Sequence, residues 1–107
     1  MIVMHGIFDL EDSDGEQAFK DAYERFADHL RSKELLVSWR FMQRHPHDCY
    51  NSNPLPETFL VAMEFADLAQ ADASYAYVQE GSEPVGGLHR NVLSKLAGYR
   101  FVLYADV

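Results

Sequence analysis

Five consecutive positions, His45 to Cys49, read HPHDC and gather two imidazoles, a carboxylate and the chain's only thiol. These are side chains that bind zinc, so the stretch poses the question of a metal site built from His45, His47, Asp48 and Cys49. The spacing argues against one. Zinc ligands usually come with recognisable separations, whereas immediate neighbours rarely all point at one ion, and Pro46 stiffens the segment further. Glu57 or a second subunit would have to complete the set. The expectation is therefore no metal, with these four residues as the lesser reading beside that of a connecting loop.

A second set is spread over the chain. His5, Ser38, Arg40, Glu64, Arg100 and the Tyr104 hydroxyl interrupt segments that are otherwise apolar. His5 could act as a general base near neutral pH, with Arg40 or Arg100 stabilising an anionic substrate or enolate. The structural alternative is that these charges pair, Arg40 with Glu64 and Arg100 with another carboxylate, as buried charges usually do. Further candidates line a ligand pocket or its lid: Trp39, Phe41, Tyr75, His89 and Arg90. His89 and Arg90 follow the EGSEPVGG stretch, which could close over a pocket mouth. Its two glycines serve equally to let the chain turn before a helix. Tyr75 and Tyr77, two positions apart, face different sides, and His29 flanks an apolar stripe. Gly86–Gly87 lacks the Lys-Ser/Thr and the preceding strand of a phosphate-cradling loop, so no nucleotide cofactor is indicated.

The elements that must position these residues follow from periodicity. Ile2 to Asp9 reads as a strand. Ser13 with Glu16 forms a capping-box pattern, opening a helix to about Lys33 with Phe19, Ala22, Tyr23, Phe26 and Leu30 on one stripe. Leu35 to Gln43 reads as a second strand. Arg44 to Glu57, with three prolines and two asparagines, reads as a loop longer than most hairpin connections. Thr58 to Phe65 is a third strand, and Asp67 caps a helix from Leu68 to Gln79. A short helix over Leu88 to Ala97, stopped by Gly98, leads to a fourth strand from Tyr99 to Asp106.

Both helical crossovers place their helices on one face of a single sheet if each is right-handed. The bare face should then be polar, yet both phases of the strands are apolar. One runs Ile2, Met4, Phe8, Val37, Trp39, Phe41, Phe59, Val61, Met63, Phe65, Tyr99, Phe101 and Leu103. The other retains Val3, Ile7, Leu36, Met42, Leu60, Ala62, Val102 and Tyr104. An uncovered apolar face marks an interface, so a homodimer packed sheet against sheet is expected.

This element order, the doubly apolar sheet and the chain length resemble the dimeric α/β-barrel superfamily, over nearly the whole chain. The resemblance implies an α+β fold: a ferredoxin-like βαββαβ antiparallel sheet in the order 4-1-3-2, helices on one face, dimerising as an α/β barrel. It also implies ligands held between the sheet and its helices. The superfamily includes cofactor-free monooxygenases of aromatic polyketides, haem-degrading monooxygenases and lactone isomerases. The monooxygenases use an Asn, a Trp and a His or Arg around the pocket. Here the first strand ends in Asp9 and the third has no Trp, Trp39 lying on the second, so no catalytic residue is transferred.

Composition narrows the classes that remain. One domain is expected from 107 residues. A net charge of −8 excludes a phosphate-binding surface, so no nucleic acid is expected. No apolar run of about 20 residues spans a bilayer, so no membrane partner is expected either. The start MIVMHGIFDL lacks a basic leader, and a lone Cys49 fits a reducing compartment, together indicating a cytoplasmic location. The expected function is to bind or transform a small apolar or aromatic metabolite without a cofactor. If catalytic, it would be monooxygenase- or isomerase-like. The alternative is a non-catalytic dimeric interaction or regulatory module. A pocket above about 300 Å³ favours the first and a filled interior the second.

Overall fold

The computed structural model describes residues 1–107. In chain order the elements are β1 (Ile2–Leu10), α1 (Glu16–Ser32), β2 (Ser38–Gln43), β3 (Phe59–Phe65), α2 (Leu68–Glu80), α3 (Val85–Leu93) and β4 (Leu96–Ala105). The four strands form one antiparallel sheet in the order β2-β3-β1-β4. This is the α+β, ferredoxin-like arrangement expected from the sequence, with β4 and β2 at the two edges.

Cross-strand register decides which side chains share a face. Trp39, Met63, Met4 and Leu103 stand in one row across the sheet, and Phe41, Val61, Gly6 and Phe101 in the next. These rows face the helices. The stripe of α1 (Phe19, Ala22, Tyr23, Phe26, Ala27 and Leu30) is buried against them, and Val85 and Val92 of α3 complete the core. Phe8, Phe19, Phe41 and Phe59 form a ring cluster with centroid spacings from 4.8 to 6.2 Å. Burying each such ring stabilises the fold by roughly 1.5–3 kcal/mol.

The molecule measures 43 × 36 × 18 Å, a thin slab with one layer of helices on one layer of strands. Its accessible surface is 6861 Å². A compact 12.3 kDa monomer exposes about 6,100 Å², so this chain leaves more surface open than its mass requires.

Local expectations at the element ends are corrected. The Ser13–Glu16 capping box does not form: Gly15 is the N-cap, its carbonyl accepting from the Phe19 amide, while the Asp12 carboxylate accepts from Asp14 N. The second strand begins at Ser38 rather than Leu35, because Leu36 turns inward to the core first. The third helix starts at Val85, ahead of the expected Leu88. Glu83 draws that start together, its carboxylate accepting from the Gly87 amide at 3.1 Å and from Arg90 at 2.7 Å. That helix ends before Lys95, so Gly98, with φ +86°, lies within β4 instead of capping a helix. By contrast, Asp67 caps α2 as its sequence position indicates, accepting from Gln70 N at 2.8 Å.

Candidate functional site

The polar residues that interrupt the strands do share a surface, the one away from the helices. Arg40, Ala62, His5 and Val102 form one row across it, Ser38, Glu64, Val3 and Tyr104 a second, and Met42, Leu60, Ile7 and Arg100 a third. His5 lies near the middle with Tyr104 edge-on at 5.4 Å, and its Nδ1 is sealed from solvent without a hydrogen-bond partner. Arg40 and Glu64 are diagonal neighbours across β2 and β3, within mutual reach, but they form no ion pair. Arg100 does pair. Its guanidinium donates to Glu57 at 2.7 Å, and this hydrogen bond holds the Glu57 carboxyl below its usual range.

The pocket and lid candidates are not gathered in one place. Phe41 belongs to the ring cluster and Trp39 packs on Tyr23 at 4.9 Å, so both are core walls. Tyr75 points outward from α2, whereas Tyr77 packs inward and shares a 2.7 Å hydrogen bond with His29. His89 lies half-buried against Phe26, and that burial lowers its pKa. Arg90 is held by Glu83. The centre of the space between sheet and helices is thus filled by side chains.

The open hollow lies elsewhere. Beneath the Arg44–Glu57 loop, on the bare face, is a cleft of about 270 Å³. Ile7, Met42 and Leu60 contribute from the sheet and Pro54 and Leu55 from the loop, while Arg44, Glu57 and Thr58 add polarity at one side. A second hollow of about 240 Å³ lies between the start of α1 and the end of β2. Arg44 fixes the loop across its base, donating to the carbonyls of Leu55 at 2.6 Å and Glu57 at 2.7 Å. Asp9 joins in by accepting from the Thr58 amide at 2.9 Å. Sequence reasoning passed over Arg44 and assigned Glu57 only to a possible metal; a charged residue at each end of a long loop was the available signal.

The HPHDC stretch serves this loop. His47 Nδ1 accepts from the amides of both Cys49 and Tyr50 at 3.0 Å, and His45 Nδ1 lies 2.9 Å from the Pro46 carbonyl. Cys49 is a free, exposed thiol, and no three metal-ligating side chains converge here or elsewhere.

Comparison with known proteins places this geometry. The model of a family of unknown function, DUF6614, matches residues 1–107. The chain belongs to that family. Among curated proteins, none matches this DUF6614 chain in sequence. Solved structures resemble it closely in shape. A protein of Arabidopsis thaliana, At3g17210, superposes with a TM-score of 0.74 at 8% identity, covering 100% of this chain and 96% of its own. SnoaB, a cofactor-independent oxygenase from Streptomyces nogalater, gives 0.70 at 8% identity over 98% and 91%. A DABB family protein with a ferredoxin-like fold from Mesorhizobium loti gives 0.63 at 16% identity over 99% and 96%. At these identities the likeness concerns the fold alone, which is ferredoxin-like. No helix of the DUF6614 chain is long and apolar enough to cross a membrane.

Proposed function

We propose that this chain works as a homodimer, sheet against sheet, and that the pair binds or transforms a small apolar or aromatic metabolite in the cleft beneath the Arg44–Glu57 loop. One observation carries the reading. On the bare face, β4 leaves Val102 exposed at 38% and Tyr104 at 61%, and across the sheet Met42 is exposed at 37%. The chain's own helices do not cover this face, and water is a poor partner for so much apolar surface. A second copy laid on the bare face removes Val102 and Tyr104 from water and roofs the cleft. The site would then be enclosed without any movement of the loop.

A second reading, a dimeric interaction module without a ligand, is favoured by a separate observation. The ring cluster fills the helix side, and the 270 Å³ cleft of one chain lies just under the roughly 300 Å³ at which ligand pockets begin. Native mass spectrometry of freshly purified protein separates the two. The proposal expects a mass twice 12.3 kDa with a small molecule retained or readily taken up. A dimer that binds none of a panel of hydrophobic and aromatic metabolites supports the module, and a monomer overturns both.

A further inference from the structure

Arg40 and Glu64 are the two charges of the bare face that find no partner within the chain. Arg100, the third, is already satisfied by Glu57. The chain carries a formal charge of −8, yet within the three cross-strand rows of this face Arg40 and Glu64 balance each other and Arg100 is neutralised. A face with balanced charge on a strongly acidic molecule fits a second acidic copy.

Covering this face without pairing Arg40 and Glu64 would bury two uncompensated charges, which is strongly unfavourable. A two-fold interface offers the remedy. If residue i of one copy meets residue j of the other, then j also meets i, so a single geometry forms both contacts. Resting on the dimer reading above, we infer that Arg40 of each protomer pairs with Glu64 of the other. The two-fold axis then passes over the gap between these residues at the β2–β3 ladder. The same closure covers the rest of the His5 ring, which stands next to Ala62 in the row that contains Arg40.

Charge reversal tests the pairing through oligomeric state. Arg40→Glu and Glu64→Arg are made separately and measured by sedimentation equilibrium, with circular dichroism to show that each folds. Each alone should dissociate at concentrations roughly a hundredfold or more above those that dissociate the wild type. Mixed in equal amounts, the two should recover a heterodimer. At one of its two contacts the substituted positions meet with opposite charges, and at the other the native Glu64 meets the native Arg40. An Arg40–Glu64 pair formed within each chain would not be rescued by mixing. The double variant R40E/E64R, which should self-associate, serves if either single variant fails to fold. A wild-type dimer whose single variants keep its affinity, or whose mixture stays monomeric, overturns the pairing and leaves the dimer standing. A monomeric wild type overturns both.

Discussion

β3 and β4 are almost equally apolar, one reading FLVAMEF and the other LAGYRFVLYA, but their surroundings are opposite. In β3 Phe59, Val61, Met63 and Phe65 are buried under the helices, and Ala62 is buried on the bare face. In β4 only the first residue is shielded at all. The difference comes from position in the sheet. β3 lies between β2 and β1 with helices above it, whereas β4 is an edge that packs on the core only at its start, through Leu96. An exposed edge strand is ordinarily blunted by charge, proline or a bulge. From Tyr99 to Ala105, β4 has only Arg100 for this purpose, and Arg100 is neutralised by Glu57. The contrast therefore separates what one chain covers by itself from what it leaves uncovered.

Substitutions should sort along the same line. The largest effect belongs to the covered half. Phe8→Ala removes a ring that is 2% exposed and should cost about 3–5 kcal/mol in denaturant unfolding. A cost below about 1 kcal/mol would mean that the ring cluster is not the core. On the uncovered strand, Val102→Asp should leave monomer stability within about 0.5 kcal/mol. It should nevertheless abolish association, because the new carboxylate would be buried in the interface. Gel filtration coupled to light scattering reads that result, and an unchanged mass would show that the bare face is not the contact.

A smaller effect, of opposite sign, sits under α1. The Tyr23 hydroxyl is buried with no hydrogen-bond partner, and desolvation drives its pKa far upward. Tyr23→Phe should stabilise the chain by about 1 kcal/mol, since it removes an unmet polar group while keeping the ring. Destabilisation would mean that the hydroxyl has a partner in the working protein.

The pH dependence is smaller again and divides between the two regions. On the bare face, the bond from Arg100 lowers the Glu57 pKa below the ordinary 4.5. Its stabilisation is therefore complete above that value and is lost as the pH falls through the lowered pKa. In Glu57→Gln this part of the acid limb should disappear from urea midpoints measured between about pH 5 and 3. On the covered side, burial lowers the His89 pKa below 6.5. Its neutral form is favoured in the fold, so stability declines as pH drops from 6.5 toward the lowered value, and His89→Gln should flatten that limb. An unaltered slope in either variant would remove that residue from the account.

The sequence made the sheet legible because period-two alternation survives in every strand and helix period in α1. The open apolar face followed from these alone, whereas the order of strands came from the family resemblance. Helix ends were harder. The Ser13 capping box lost to Gly15, since the Asp12 carboxylate takes up the turn before α1 can begin there. The start of α3 was hidden because Gly86 and Gly87 read as breakers. Yet a Cβ at Gly86 would collide with the Gly81 carbonyl, so the glycine is needed for that helix to approach the chain before it. At the candidate site, alternation correctly placed His5, Arg40, Glu64, Arg100 and Tyr104 on one face. Pairing depends on side-chain reach rather than periodicity, and so the Arg100–Glu57 bond, spanning 43 residues, left no local signal. The hollow beneath the long loop was equally invisible, because Arg44 shapes it by binding two carbonyls that no sequence pattern marks.

The most direct test of the central claim is the solution mass of the unmodified chain. Sedimentation equilibrium at micromolar concentration should give a single species at twice 12.3 kDa, with Val102→Asp falling to 12.3 kDa under the same conditions. A wild-type chain that sediments at 12.3 kDa across that range would contradict it.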